Sequence, residues 1–232
     1  MKKHPAGIFL LLMVSALTSP ASVSIVTDNQ TNGTNSLPHT MVPSATDLIQ
    51  GLAPSAQSGN FTQEGAAGAT ILTDGLFTSP ITRDAGGPFQ FGTFATGGPT
   101  GGTSLTYQLG AASNIASISI FGGWQDGGRD QQSYSIFFST AAAPGTFLPL
   151  TTVDFNPADP LGNPQVTRVT IADTTGTLAA DVAALRFDFN ATENGYSGYS
   201  EIDVTAVPEP GAPAVLGLTA LGMAARRRRR SF

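Results

Sequence analysis

The stretch Gly122–Gln132, Gly-Gly-Trp-Gln-Asp-Gly-Gly-Arg-Asp-Gln-Gln, carries the densest set of recognition chemistry in the chain. Trp124 is the only tryptophan. An indole face stacks on the apolar face of a sugar ring. Asp126, Arg129 and the neighbouring amides supply acceptors and donors for sugar hydroxyls. A second aromatic loop, Glu193–Ser200, adds Tyr196 and Tyr199, of which at least one is expected in the core. Trp124, Asp126, Arg129 and Tyr196 are therefore the candidate ligand-binding set. The competing reading is structural: Trp124 ends a strand and caps the core, and Arg129 pairs with a neighbouring aspartate.

Other chemistries are excluded by what the chain lacks. It has no cysteine, so thiolate zinc sites, thiol catalysis and redox pairs are ruled out. Of the two histidines, His4 lies in an N-terminal targeting segment, which leaves His39. One histidine cannot build a two- or three-histidine metal site. A Ser-His-Asp triad would have to use His39, inside the irregular Asn-Ser-Leu-Pro-His-Thr-Met-Val-Pro-Ser. A glycosidase needs two carboxylates about 5–9.5 Å apart. Residues 22–207 hold 15 acids, so pairs carry no signal there. No enzymatic activity is expected. The same span holds four arginines and no lysine, a net charge of −11. Such a surface repels phosphate backbones and excludes nucleic acid as a partner.

Both ends of the chain read as targeting segments. Lys2 and Lys3 precede the apolar run Ile8–Leu17, followed by Thr18-Ser19-Pro20-Ala21. This is the layout of a signal peptide, residues 1–21, cleaved after Ala21; an uncleaved anchor is the alternative. At the other end, Ala212–Ala225 has no charged residue over 14 positions. As a helix it spans about 21 Å. That is short against a bilayer core of about 30 Å. Arg226, Arg227, Arg228, Arg229 and Arg230 follow, lengthening it by snorkelling and holding that end in the cytoplasm. The expectation is a short C-terminal transmembrane helix; a terminal helix packed on the domain is the alternative. With Pro208-Glu209-Pro210 ahead of it, residues 207–232 resemble the PEP-CTERM sorting signal of Gram-negative bacteria. That resemblance implies an exosortase and the secretion machinery as partners. It also implies transient anchoring in the inner membrane, then release to the cell surface or outside.

Between the ends, period-two patterning dominates. Leu105, Tyr107 and Leu109 alternate with Thr106 and Gln108. Ile118 and Ile120 alternate with serines, and Tyr134, Ile136 and Phe138 share a face. Leu185, Phe187 and Phe189 alternate with polar residues, as do Ile202 and Val204. Each run is a strand with one buried face. Gly- and Pro-rich turns separate them, which argues for an all-β antiparallel sandwich. Residues 22–47 read as a polar lead-in and 48–206 as the domain. In Gly176–Leu185 the spacing of Leu178, Val182 and Leu185 fits one helical turn at most.

The order of these pieces resembles the discoidin, or coagulation-factor type C, group of galactose-binding-like domains. The matching pieces are Ile71-Leu72-Thr73-Asp74-Gly75, Leu105–Gly110, Ile115–Trp124, Gln132–Thr140, Val182–Phe189 and Tyr199–Val204. The resemblance implies a jelly-roll β-sandwich. It also implies a structural Ca²⁺ helped by Asp74 of the Asp-Gly turn and Glu201 of the closing strand. Ca²⁺ takes about 6–8 oxygen ligands, and a glycine after the aspartate lets carbonyls turn inward. A turn-forming aspartate and a solvated glutamate are the plainer alternative. The function implied is non-catalytic binding of an exopolysaccharide or environmental glycan. The rival is a structural or matrix protein of the cell surface or biofilm without sugar specificity.

Overall fold

The computed structural model describes residues 22–31, 36–37, 39–62, 68–77, 81–82, 94–96, 103–124, 128–158, 164–174, 176–190 and 197–208. The two terminal stretches read as targeting segments, apart from Val207 and Pro208, lie outside these, as do Asp126 and Tyr196. No helix among the described residues is long and apolar enough to cross a membrane.

The described chain is all-β and antiparallel. Its strands are β1 (Val23–Thr31), β2 (Ser36–Leu37), β3 (Ala56–Ser58), β4 (Ile81–Thr82), β5 (Phe94–Thr96) and β6 (Thr103–Trp124). β7 (Gln132–Thr140), β8 (Ala143–Phe155), β9 (Gln165–Asp173), β10 (Ala179–Phe189) and β11 (Ser197–Ala206) complete the set. One short 3-10 turn, Ala69–Thr73, precedes the Asp74–Gly75 bend.

β6 organises the rest. The sequence reads as two strands there, and the structure joins them into one of 22 residues. Its first part pairs with β3 and β10, and β10 continues to β7 and β8. Its last part pairs with β9 and β11, which continue to β1 and β5. The exposed middle, Gln108–Asn114, is where the chain passes from one layer to the other. Inward residues of both layers form one core: Leu105, Tyr107, Phe187 and Tyr134 meet Ile118, Ile120, Ile171, Ile202 and Val204. The alternation read from sequence is thus a sandwich with two apolar inner faces.

Two expectations are corrected. The polar lead-in contains β1, which pairs with β9 over nine residues, so the sheet begins at Val23. β1 sits on an edge, its side chains exposed or half-buried, with Val26 at 60%. Backbone hydrogen bonds and the Asp28–Arg168 ion pair hold it, not a buried face, and its apolar residues Val23, Ile25 and Val26 stay exposed. From Ala179 the Gly176–Leu185 segment is strand, not helical turn. Its register shifts around Val182, and Asp181 takes φ 54°. The irregularity gives Leu178, Val182 and Leu185 three- and four-residue spacing while all stay buried.

Candidate functional site

On the closing strand, Glu201 and Asp203 lie two residues apart and face away from the core side of Ile202 and Val204. That face is not solvated. The segment before β3 and the Ala69–Asp74 turn pack over β11, leaving Glu201 at 0% and Asp203 at 3% exposure. The covering segment brings a third acid, Asp47, which bridges to Thr205. One carboxylate oxygen from each of Asp47, Glu201 and Asp203 comes within 4.8 Å of the other two.

Each carboxylate is half-satisfied. Asp47 Oδ1 accepts the amides of Ile49 (3.1 Å) and Val204 (2.7 Å). Glu201 Oε2 accepts the amide of Gly75 (3.1 Å), and Asp203 Oδ2 that of Ser44 (2.6 Å). The other oxygens, Asp47 Oδ2, Glu201 Oε1 and Asp203 Oδ1, are buried and have no hydrogen-bond partner. Buried carboxylates left this way are expensive as anions. Burial pushes Glu201 up to about 9, reinforced by the fields of Asp203 and Asp74 and opposed by the Gly75 amide. Burial lifts Asp203 to about 6 against the Ser44 amide, and raises Asp47 against the Val204 and Ile49 amides. Oxygens on one Ca²⁺ at about 2.3–2.6 Å lie no more than about 5 Å apart, so this set fits a shared hard cation.

The structure thus keeps Glu201 in a candidate cation site but surrounds it differently from the expected pair. Asp74 is exposed, and its Oδ1 accepts the Leu76 amide (2.8 Å), shaping the Asp-Gly bend. Its glycine, at φ 77°, delivers the amide to Glu201. The plainer expectation of a solvated Glu201 is overturned by the covering segment. Sequence reading missed Asp203 and Asp47. Period two in Glu201-Ile202-Asp203 could have found Asp203; nothing local marks Asp47.

The expected sugar platform is also placed. Trp124 ends β6 at 3% exposure, with the Arg129 guanidinium 5.1 Å from its ring centroid. The indole is closed off at the end of its strand. Arg129 covers it. Gly123, just before it, has φ 140°, and a Cβ there would overlap the carbonyl oxygen of Gln165 on β9. Gly123→Ala is expected to cost about 2 kcal/mol or more through strain and displaced backbone. Urea unfolding followed by Trp124 fluorescence measures it; a cost below about 0.5 kcal/mol would show the bend to be dispensable.

No family model and no curated protein matches the chain. Solved structures similar to it are discoidin-type and carbohydrate-binding domains. An F5/8 type C domain from Bacteroides fragilis aligns at 15% identity over 71% of this chain and all of that one, TM-score 0.43. The lectin binding domain of Lectinolysin, solved with Lewis b, aligns at 13% identity over 72% and 99%, TM-score 0.44. A family 32 carbohydrate-binding module of Clostridium perfringens NanJ, solved with galactose, aligns at 12% over 78% and 92%, TM-score 0.39. At these scores none carries its ligand across to this chain.

Proposed function

We propose that the chain is an exported, non-catalytic carbohydrate-binding module whose sandwich is braced by a structural Ca²⁺. The observation that carries this is the meeting of Gly75 and Glu201 at 3.1 Å. It joins the Asp-Gly turn to the closing strand, the two distant pieces on which the discoidin-like resemblance places its cation. Asp47 and Asp203 complete the set here. The three acids that converge among the described residues are buried, which suits a structural cation and not a substrate. Export rests on the signal-peptide pattern of residues 1–21. Exosortase handling and transient inner-membrane anchoring rest on Pro208-Glu209-Pro210 and the arginine-ended tail.

A titration of the purified full-length chain against a polysaccharide panel, with and without Ca²⁺, tests the reading. Saturable binding to at least one polysaccharide is expected, with tighter binding when Ca²⁺ orders β11. No binding to any member would overturn it. The rival, a surface or matrix protein without sugar specificity, is favoured by one observation: the only tryptophan, the best stacking surface in the sequence, is buried.

A further inference from the structure

The glycan-binding reading leaves open where a sugar would sit, since Trp124 is covered. The outward face of the β3–β6–β10–β7–β8 layer answers with a different surface. Residues directly opposite in antiparallel strands share a face. The registers align Ser58, Ser104, Asp188, Ser135 and Thr152 in one row across five strands. At about 4.8 Å per strand the row is about 19 Å long. Ser58 and Ser104 are bonded at 2.9 Å, as are Ser135 and Thr152.

Two members of the row, Ser104 and Asp188, line an open cleft of about 440 Å³ together with Thr103, Arg186, Phe189 and Asn190. Its size is within the range of about 300–1,000 Å³ of small-ligand sites. Within it Arg186 and Asp188 form an ion pair, Nη2 donating to Oδ2 at 3.1 Å and Nε lying 3.0 Å from Oδ1. The guanidinium also lies over two rings, 4.4 Å from the Phe137 centroid and 5.1 Å from that of Phe147. Arg186 is therefore held rigidly before any ligand arrives, which lowers the entropy cost of binding.

We infer that this cleft is a binding site for a neutral polysaccharide chain lying across the strands. The inference rests on the glycan-binding reading and gives it a place and a ligand class. Hydroxyls that both donate and accept match sugar hydroxyls, which do the same. Beside them Asp188 offers acceptor oxygens and Arg186 Nη1 a donor. The ligand is uncharged because the cleft's cation is already neutralised by Asp188, and the body around it carries −11. A polyanion would be repelled. A face of short hydroxyls lacks the apolar centre of a protein interface.

The test uses the full-length chain with neutral polymers (galactan, β-glucan, galactomannan) and acidic ones (alginate, polygalacturonate), at low and high salt. The probes are Arg186→Gln, which breaks pair and stack, and the surface change Thr152→Glu, which charges the end of the row. Arg168→Gln, on β9 of the other layer, is the control. Expected are neutral-polymer binding insensitive to salt, a tenfold or greater loss in Arg186→Gln and a threefold or greater loss in Thr152→Glu. The control should keep its affinity, and circular dichroism should show all three folded. If Arg186→Gln fails to fold, Thr152→Glu decides by the same threshold. Unchanged affinity in both cleft variants would overturn the cleft while leaving the glycan-binding reading standing. Preference for acidic polymers would overturn the neutral class. No binding by the wild type would overturn both.

Discussion

Stripped of divalent cations by a chelator, the protein is expected to lose stability steadily as pH rises from 5 to 9, and Ca²⁺ to abolish that loss. The sign follows from Glu201. Its folded-state value, about 9, lies above the ordinary 4.5. Between those values the folded state holds a proton that the unfolded chain has released, so raising pH favours unfolding. The contribution is complete below pH 4.5 and gone above pH 9. Asp203, lifted from 3.8 to about 6, adds a smaller loss in the lower part of the window. At about 1.4 kcal/mol per pH unit over the window from pH 5 to 9, Glu201 alone accounts for a loss of at most about 5–6 kcal/mol. For a body of this size that is on the order of 10–20 °C in Tm. Metal binding requires the deprotonated acids, so the Ca²⁺ effect should be largest at pH 8–9 and small at pH 5. Glu201→Gln should flatten the chelated profile, remove most of the Ca²⁺ response and melt higher than the chelated wild type at pH 8. Thermal melts across pH with chelator or millimolar Ca²⁺ read all three. A flat chelated profile with no Ca²⁺ response would mean that the three acids are stabilised in some other way.

Much of this architecture is written locally. Leu105 and Tyr107, Tyr134 and Ile136, and Phe187 and Phe189 all sit where period two places them, inside the core. The failures have particular causes. β1 carries apolar residues only at Val23, Ile25 and Val26 before turning polar, because an edge strand held by its backbone needs no buried stripe. β10 imitates helical spacing because its irregularity at Asp181 inserts residues between inward positions. At the cation site, Glu201 and Asp203 are legible as one face of a strand. Their burial is not legible, because it depends on a segment more than a hundred residues away folding over them. Asp47 is the extreme case: only the tertiary bridge to Thr205 makes it a neighbour. Trp124 is the converse case: its residue type suggests a platform, while tertiary packing leaves it 3% exposed.

The junction of the two layers should be the most sensitive single point in the fold, and Tyr199 marks it. Its side chain is fully buried at the start of β11. The ring meets Phe189 of β10 at 4.9 Å and Tyr134 of β7 at 6.0 Å in an edge-on arrangement. Three strands from both layers thus share one aromatic cluster. Its hydroxyl accepts the Ser133 amide at 3.0 Å and donates to the Ser133 carbonyl at 3.3 Å. Tyr199→Phe removes only the hydroxyl and leaves that buried amide unsatisfied, an expected cost of about 1–3 kcal/mol. Tyr199→Ala also opens a cavity between the layers, and about 3–5 kcal/mol is expected. The loss should not stop at stability. Glu201 begins two residues later on the same strand, and its position against Gly75 depends on β11 being seated. Tyr199→Ala should therefore weaken the Ca²⁺-induced rise in Tm, whereas Tyr199→Phe should preserve it, since the ring still seats the strand. Denaturant unfolding gives the stabilities, and melts with and without Ca²⁺ give the coupling. A cost below about 1 kcal/mol for Tyr199→Ala would show that the layers are joined elsewhere. Equal Ca²⁺ responses in the two variants would show instead that Glu201 is positioned by the covering segment and not by the seating of its own strand.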